Sequence, residues 1–325
     1  MSLSIIELFC PRRAKAEGKT DLEDEEDFLK CVYHTGEFLH AEQLQDLARE
    51  RGLPPDRLER IVGSLILRGD LLTEPYRLSE TGVQRVLRLI RAHRIYEKYL
   101  SEHSGHKPED WHRLANKMEH QMSDAEQARM VSLLRNPLFD PHGDPIPTHT
   151  LGLPKYKDEE VVHLQVGQWF RVLHIEDDDE TIFALLNSQG LARQSVFLVE
   201  SISSEGVVLR YEGEQINLPH SATEALSLAL LPEDSSEVLA QSSVCRLTCL
   251  QEEREARIIA LSPSCRGAMR RRLMDLGFVR GSRVHIEMKS PMQNPIAYVV
   301  RGTAIALRAD QARHILIDSI RPLQH

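Results

Sequence analysis

Aromatic residues make up only 5% of the 325-residue chain, cysteines number five, and no stretch approaches the run of about 18 apolar residues that a membrane span needs. Each scarcity excludes something. Without long apolar runs the chain is expected not to insert into a membrane. Met1 to Phe9 is mildly apolar, but it is too short for a signal segment, and Arg12 and Arg13 follow it rather than precede it. The cysteines (Cys10, Cys31, Cys245, Cys249 and Cys265) are odd in number and loosely spread, a poor disulfide framework that points to a reducing, cytoplasmic compartment. Cys245 and Cys249 have no matching pair. On a strand both would point to one face, as buried thiols more readily than as a metal clip. Positive charge is outnumbered, 40 Lys and Arg against 49 Asp and Glu. A formal net charge of −9 argues against a chain coated for indiscriminate nucleic-acid binding, while leaving room for a local basic patch. There is no Gly-rich phosphate loop, nucleophile elbow or triad signature, so the chain does not read as an enzyme.

What is there falls into several domains, two to four by length alone. The first half has helical periodicity. Phe28, Val32 and Tyr33 share one helical face, as do Leu44, Leu47 and Ala48. Pro55 opens a helix through Leu58, Ile61, Val62 and Leu65 that stops at Gly69. Leu71–Thr73, a turn at Glu74-Pro75 and Tyr76–Leu78 form a small hairpin, after which Ser79-Glu80-Thr81 starts a long helix through Val86, Ile90, Ile95 and Leu100. Helix, helix–turn–helix, hairpin, long helix is the order of a winged helix-turn-helix domain. Further helices are expected over about Pro108–Met122 and Asp124–Leu134, and then a linker or irregular excursion from Asn136 to Pro147.

The second half alternates short apolar runs with turns, as small β-barrels do. It also repeats. Gly190-Leu-x-Arg193-x-Ser195, with Glu200 beyond, matches Gly277-Phe-x-Arg280-x-Ser282 with Glu287. Leu186 and Leu273 precede each glycine by four, and Gly213-x-x-Ile216-x-Leu218 matches Gly302-x-x-Ile305-x-Leu307. Such offsets predict two copies of one β-module, near 160–232 and 242–320, joined by the polar stretch Glu233 to Glu237.

Two helices carry the chemistry. His93 and Glu97 are four apart and project from one helical face. On the next helix His112, Asn116, Glu119 and His120 follow i, i+4, i+7, i+8. Imidazoles and carboxylates converging from neighbouring helices suit a divalent ion, Fe(II) or Mn(II) first, with Zn(II) also compatible. Solvated polar faces and ordinary ion pairs produce the same spacing.

Four ordered stretches carry a resemblance: Tyr76–Gly82, Arg91–Glu97, Met118–Asp124 and Pro141–Pro147. Over about residues 21 to 150 the chain resembles the iron-dependent repressor family of diphtheria-toxin-repressor and manganese-regulator type. Residues 160–232 look like that family's SH3-like third domain. Arg272-Leu-Met-Asp-Leu-Gly277-Phe-Val-Arg-Gly-Ser282, with Pro295 and Gly302–Arg308, resembles the ferrous-iron-transport protein A (FeoA) domain. The resemblance implies an α+β multidomain chain. An N-terminal arm (1–20) precedes a winged helix-turn-helix domain (21–88), a helical metal-binding and dimerisation domain (89–150), an SH3-like domain (160–232) and a FeoA-type SH3-like domain (242–320). By position, His93, Glu97 and His112 resemble the family's ancillary metal site. Glu119 and His120 resemble the primary site, and Asp27 sits where the first helix offers a ligand. Asn116 stands where Cys or Glu is expected, and its neutral amide makes that site weaker or differently selective. Lys30 stands where manganese-type members place a second carboxylate, against a binuclear site. Asp178 and Thr181 fall near ligands that the third domain can lend.

A helix in the major groove presents its N-terminal residues to base edges, so Arg57, Arg60 and Ser64 are the candidate readers, with Arg77 on the hairpin. Pro54 to Arg94 holds eight arginines against five acids, a net of +3, but Asp56 and Glu59 place negative charge on the reading helix and the hairpin is short. In the last domain Arg266, Arg270, Arg271, Arg272, Arg280 and Arg283 form a basic cluster, either a solvated helix face or a surface for an acidic protein. The expectation is a dimeric, metal-gated regulator of metal homeostasis on a palindromic double-stranded operator. The alternative is a non-DNA-binding adaptor whose FeoA-type domain binds a ferrous-iron transporter.

Overall fold

Apolar residues at helical spacing bring three helices around one core. The computed structural model describes residues 21–323 except 37, 74, 155–162, 178 and 242, so the arm expected at 1–20 lies outside the described residues. Helix α1 (Asp21–Thr35) buries Phe28, Leu29 and Val32, α2 (Ala41–Glu50) buries Leu44 and Leu47, and α3 (Pro55–Leu67) buries Leu58, Ile61 and Leu65. Pro55 sits in the first turn of α3, where its missing N–H loses no hydrogen bond. Strands β1 (Leu71–Leu72) and β2 (Arg77–Leu78) pair antiparallel with Leu71 opposite Leu78, and α4 (Glu80–His103) follows directly. Gly82 has no room for a side chain: a Cβ there would lie 2.1 Å from the Asp70 carbonyl oxygen. Arg85 meets Asp70 at 2.8 Å, and the Ser79 and Thr81 hydroxyls reach the Gly69 carbonyl at 2.6 and 3.0 Å. The start of α4 is therefore locked to the turn that follows α3.

Helices α5 (Pro108–Met118) and α6 (Asp124–Leu133) follow. The helix expected to reach Met122 ends at Met118, because Ser123 already opens α6 through a reciprocal capping box with Glu126. Glu119 to Gln121 form the turn between them. The stretch expected as a linker or excursion is tied down. Phe139 bridges Pro145, Asp140 is 1% exposed and accepts the Asp144 N–H, and Arg94 donates to the Pro145 carbonyl at 2.7 Å.

The chain forms two compact units, one of residues to 99 with 110–140 and 144–155, the other of 100–109, 141–143 and 156 onward. The second unit holds two β-sheets. In the first, β3 (Trp169–Ile175), β4 (Val196–Ser203), β5 (Gly206–Tyr211), β6 (Glu214–Leu218) and β7 (Leu226–Leu231) run in the order β6-β5-β4-β3-β7. In the second, β8 (Cys245–Arg246), β9 (Arg254–Leu261), β10 (Arg283–Lys289), β11 (Ile296–Val300), β12 (Thr303–Leu307) and β13 (Ile315–Pro322) run β12-β11-β10-β9-β13-β8. Apart from β8 the two orders are the same, as the internal repeat predicts.

The repeated residues have repeated jobs. Gly190 (φ +79°) and Gly277 (φ +95°) end helices α7 (Glu180–Ser188) and α10 (Gly267–Asp275) in the left-handed region that glycine adopts without strain. Leu186 and Leu273 are 0% and 1% exposed, each in the core of its own module. Glu212-Gly213 and Arg301-Gly302 are the two-residue loops of the β5–β6 and β11–β12 hairpins, with positive φ at both positions.

Arg246 joins the two modules. It is 2% exposed, its Nε lies 2.9 Å from Glu212 and its Nη1 2.5 Å from Glu214, and it donates to the Gln189 carbonyl at 3.2 Å. Between the sheets the stretch expected to be polar linker is partly helical, α9 (Ser236–Gln241).

Three expectations need correction. Cys249 is not a buried strand thiol: β8 ends at Arg246, and Cys249 is exposed at the end of a 3₁₀ turn, Leu247–Cys249. Cys31 is disulfide-bonded, whereas Cys245, Cys249 and Cys265 are free. The basic cluster is not all solvated. Arg271 donates to the Glu102 carbonyl at 2.6 Å, and Arg266 to those of Pro263 and Pro141, because arginine forks satisfy carbonyls left over at helix and loop ends.

Two outcomes follow. Arg246→Met strands the buried Glu212 carboxylate and should cost about 3–5 kcal/mol in denaturant unfolding, most of it recovered when Glu212→Gln is added. Burial, aided by Arg313 and Arg246, lowers the pKa of His314 to about 4. The unfolded imidazole takes its proton near pH 6.5 and the folded one does not. Stability present above pH 6.5 is therefore lost as the pH falls toward 4, and His314→Gln should flatten that slope in melts at pH 7 and 4.5.

Candidate metal centre

The long helix α4 and the shorter α5 face each other across two imidazoles. His93 and Glu97, one turn apart on α4, are 7% and 2% exposed. His93 Nε2 lies 3.1 Å from Glu97 Oε1, and His112 Nδ1 of α5 lies 3.4 Å from the same oxygen. The two rings meet edge to face with centroids 4.8 Å apart. Three donor atoms, two nitrogens and one carboxylate oxygen, thus lie within 4.8 Å of one another. That set suits a divalent first-row ion.

The other ring nitrogen of His93 is engaged. Its Nδ1 lies 2.6 Å from Glu119 Oε2, which leaves Nε2 directed at Glu97 and His112. A carboxylate behind a ligating imidazole fixes the ring and raises its basicity. Burial opposes a charge on His93, but Glu97 and Glu119 outweigh it and raise its pKa to about 9. Burial likewise opposes the Glu119 carboxylate, and Lys30 and His93 outweigh it, holding its pKa at about 2.

A second group gathers Asp27 of α1 with Glu119 and His120 from the turn after α5. His120 Nδ1 lies 2.8 Å from Glu26 and Nε2 3.2 Å from Asp27. Burial opposes its protonation, but Asp27 and Glu26 raise its pKa to about 9. This group fits an ion less well than the first. Both Glu119 oxygens accept from the Lys30 ammonium, at 2.7 and 2.9 Å.

The single face expected for His112, Asn116, Glu119 and His120 is thus divided. Because α5 stops at Met118, the last two residues leave the helix and turn toward α1, while His112 joins α4. Asn116 is half-buried, and among the described residues its Nδ2 has no hydrogen-bond partner. Glu26 escaped the sequence reading because it is one acid in a run of acids, and only the helix phase separates it from its neighbours. Asp178 lies outside the described residues. The Thr181 N–H donates to Asp179, which caps α7.

On α3, Arg57 turns inward. It pairs with the buried Asp24 of α1 and lies 3.8 Å from Asp21, so it is no free base reader. Arg60 is exposed and near its own Asp56, Ser64 is half-buried, and Arg77 is exposed with its guanidinium 5.7 Å above the Phe38 ring.

His112 is a third exposed, so its removal should leave the fold intact. Added Mn(II) at a hundredfold excess over its Kd should stabilise the wild-type chain by about 2.7 kcal/mol. In His112→Ala that metal-dependent rise in melting temperature should vanish while the metal-free melt stays unchanged.

Comparison with known proteins bears on the fold and the family. Residues 79–148 match the model of the iron dependent repressor metal binding and dimerisation domain, and residues 245–319 match the FeoA domain. The iron-dependent repressor IdeR of Mycobacterium bovis is 31% identical over 186 residues, covering 53% of this chain and 79% of that protein. A probable metal transport system membrane protein of Chlamydia trachomatis is 26% identical over 140 residues. That match covers 39% of this chain but only 30% of the chlamydial protein. A solved manganese-dependent transcriptional repressor in complex with manganese superposes with a TM-score of 0.55 at 24% identity, covering 64% of this chain and all of that one. Its fold is therefore shared. With a winged helix-turn-helix, a helical domain and two SH3-like β-domains in that order, the chain belongs to the iron-dependent repressor family.

Proposed function

We propose that the chain is a dimeric regulator whose binding to double-stranded DNA is gated by a divalent metal, Fe(II) or Mn(II). One observation carries the reading: His93, Glu97 and His112 converge from two helices, and Glu119 orients His93 from behind. An ion at those donors would supply positive charge that ties α4 to α5. The chain's own residues carry the consequence outward. Helix α4 is continuous from Glu80, whose turn is locked to Gly69 and Asp70, to His93 and Glu97. Helix α1 pairs Asp24 with Arg57 of the reading helix and Asp27 with His120. A shift at the ion donors thus biases the winged helix through two elements, a change of population rather than chemistry.

Residues 21–88 read the duplex, 89–150 bind metal and dimerise, and 160–232 and 242–320 are the two appended β-domains. Dimerisation supplies the two-fold symmetry that a palindromic operator requires. The IdeR relative and the solved manganese-dependent structure carry repressor names, and among the described residues no helix is long and apolar enough to cross a membrane.

A specific observation favours the adaptor as second reading. Arg57 is committed to Asp24, and Arg60 stands beside Asp56, so the reading helix presents little free positive charge. Pull-down of genomic fragments with and without Fe(II) or Mn(II) separates the two. Metal-dependent, salt-sensitive enrichment that His93→Ala abolishes is the expected result. Arg60→Ala should weaken the bound duplex by about 1–3 kcal/mol. No enrichment under any metal condition would leave the adaptor.

A further inference from the structure

We propose that the Lys30 ammonium is a built-in cation at Glu119, so that the chain takes one divalent ion, at His93, Glu97 and His112, and not a second at Asp27, Glu119 and His120. This deepens the metal-gated reading and rests on it.

Lys30 belongs to α1 and is 4% exposed, in a helix whose Phe28, Leu29 and Val32 lie in the apolar core. Its Nζ sits 2.7 Å from Oε1 and 2.9 Å from Oε2 of Glu119, itself 3% exposed. The His93 Nδ1 also meets that carboxylate, at 2.6 Å from Oε2, and the His120 Nε2 stands farther off, 3.7 Å from Oε1. The carboxylate thus faces an ammonium on one side and an imidazole on the other. Its charge is compensated without an ion.

The other members of the group are committed as well. His120 spans Glu26 and Asp27, and Glu26 also meets Arg85 of α4 at 3.3 Å. An incoming dication would have to settle beside a buried ammonium and displace it from both oxygens, leaving that charge buried and unpaired. Asn116 is neutral and adds no charge to offset that repulsion. The first group has no such obstacle, because Lys30 acts there through Glu119. It fixes the carboxylate that fixes His93, leaving Nε2 free to face Glu97 and His112. Lys30 is therefore a specificity-determining and positioning residue: it closes the group of Asp27, Glu119 and His120 and orients His93 in the group of His93, Glu97 and His112.

The test is ion stoichiometry on the full chain, by calorimetric titration with Mn(II) under anaerobic conditions and by elemental analysis after desalting. Wild type should bind one Mn(II) per chain, Lys30→Arg one, and Lys30→Met two. His112→Ala should bind none, a measurement that stays decisive even if Lys30→Met fails to fold. Two ions in wild type, or one retained in His112→Ala, would overturn the proposal, as would one ion in a folded Lys30→Met. Failure of the underlying reading looks different. No ion in wild type removes metal gating, and the Lys30 proposal then stands only if Lys30→Met gains an ion and falls if it does not.

Discussion

The Glu119 carboxylate, buried between Lys30 and His93, is the interaction on which the rest of the first unit depends. An ionised carboxylate taken out of water is stable only when it is paired and hydrogen-bonded on several sides. Its partners come from α1 and α4, and it is itself presented by the turn after α5. Three elements distant in the chain are thereby held at one point, 89 residues apart in the case of Lys30 and Glu119. The orientation of the His93 ring, and with it the direction of Nε2, is a consequence of that pairing rather than a property of α4 alone.

Helix α1 distributes the acids of the run Asp21–Asp27 among different partners. Asp24 reaches Arg57, Glu25 lies 3.6 Å from Arg68, Glu26 joins Arg85 to His120, and Asp27 meets His120. One helix therefore touches the reading helix, the start of α4 and the turn that holds Glu119. The arrangement also has an electrostatic consequence for DNA. An arginine satisfied by a buried aspartate has little charge left for phosphate, so the exposed positive charge of α3 and the hairpin comes from Arg60 and Arg77.

The second unit shows what duplication leaves behind. Both modules keep the same strand order, the same glycine after the first helix and the same two-residue hairpin loop. What the second copy adds is β8, whose Arg246 is buried against the Glu212-Gly213 loop of the first. A Cβ on Gly213 would come within 2.7 Å of the Cys245 Cβ, so that glycine serves both the hairpin turn and the close approach of β8.

The sequence by itself determined the order of elements, the duplicated β-module and the residue types of the candidate ion donors. Those features are local. A period of 3.6 places His93 and Glu97 on one face, and glycines at positive φ punctuate each module at the same offset. Only the tertiary structure decided which acid meets which cation. The spacing of His112, Glu119 and His120 reads as one face, but a capping box at Ser123 ends the helix early and sends its last two residues toward α1. Lys30 follows the run of acids and sits between Leu29 and Cys31, and nothing in that neighbourhood names its partner. Its role depends on a partner brought to it by packing, and neither periodicity nor composition carries that information.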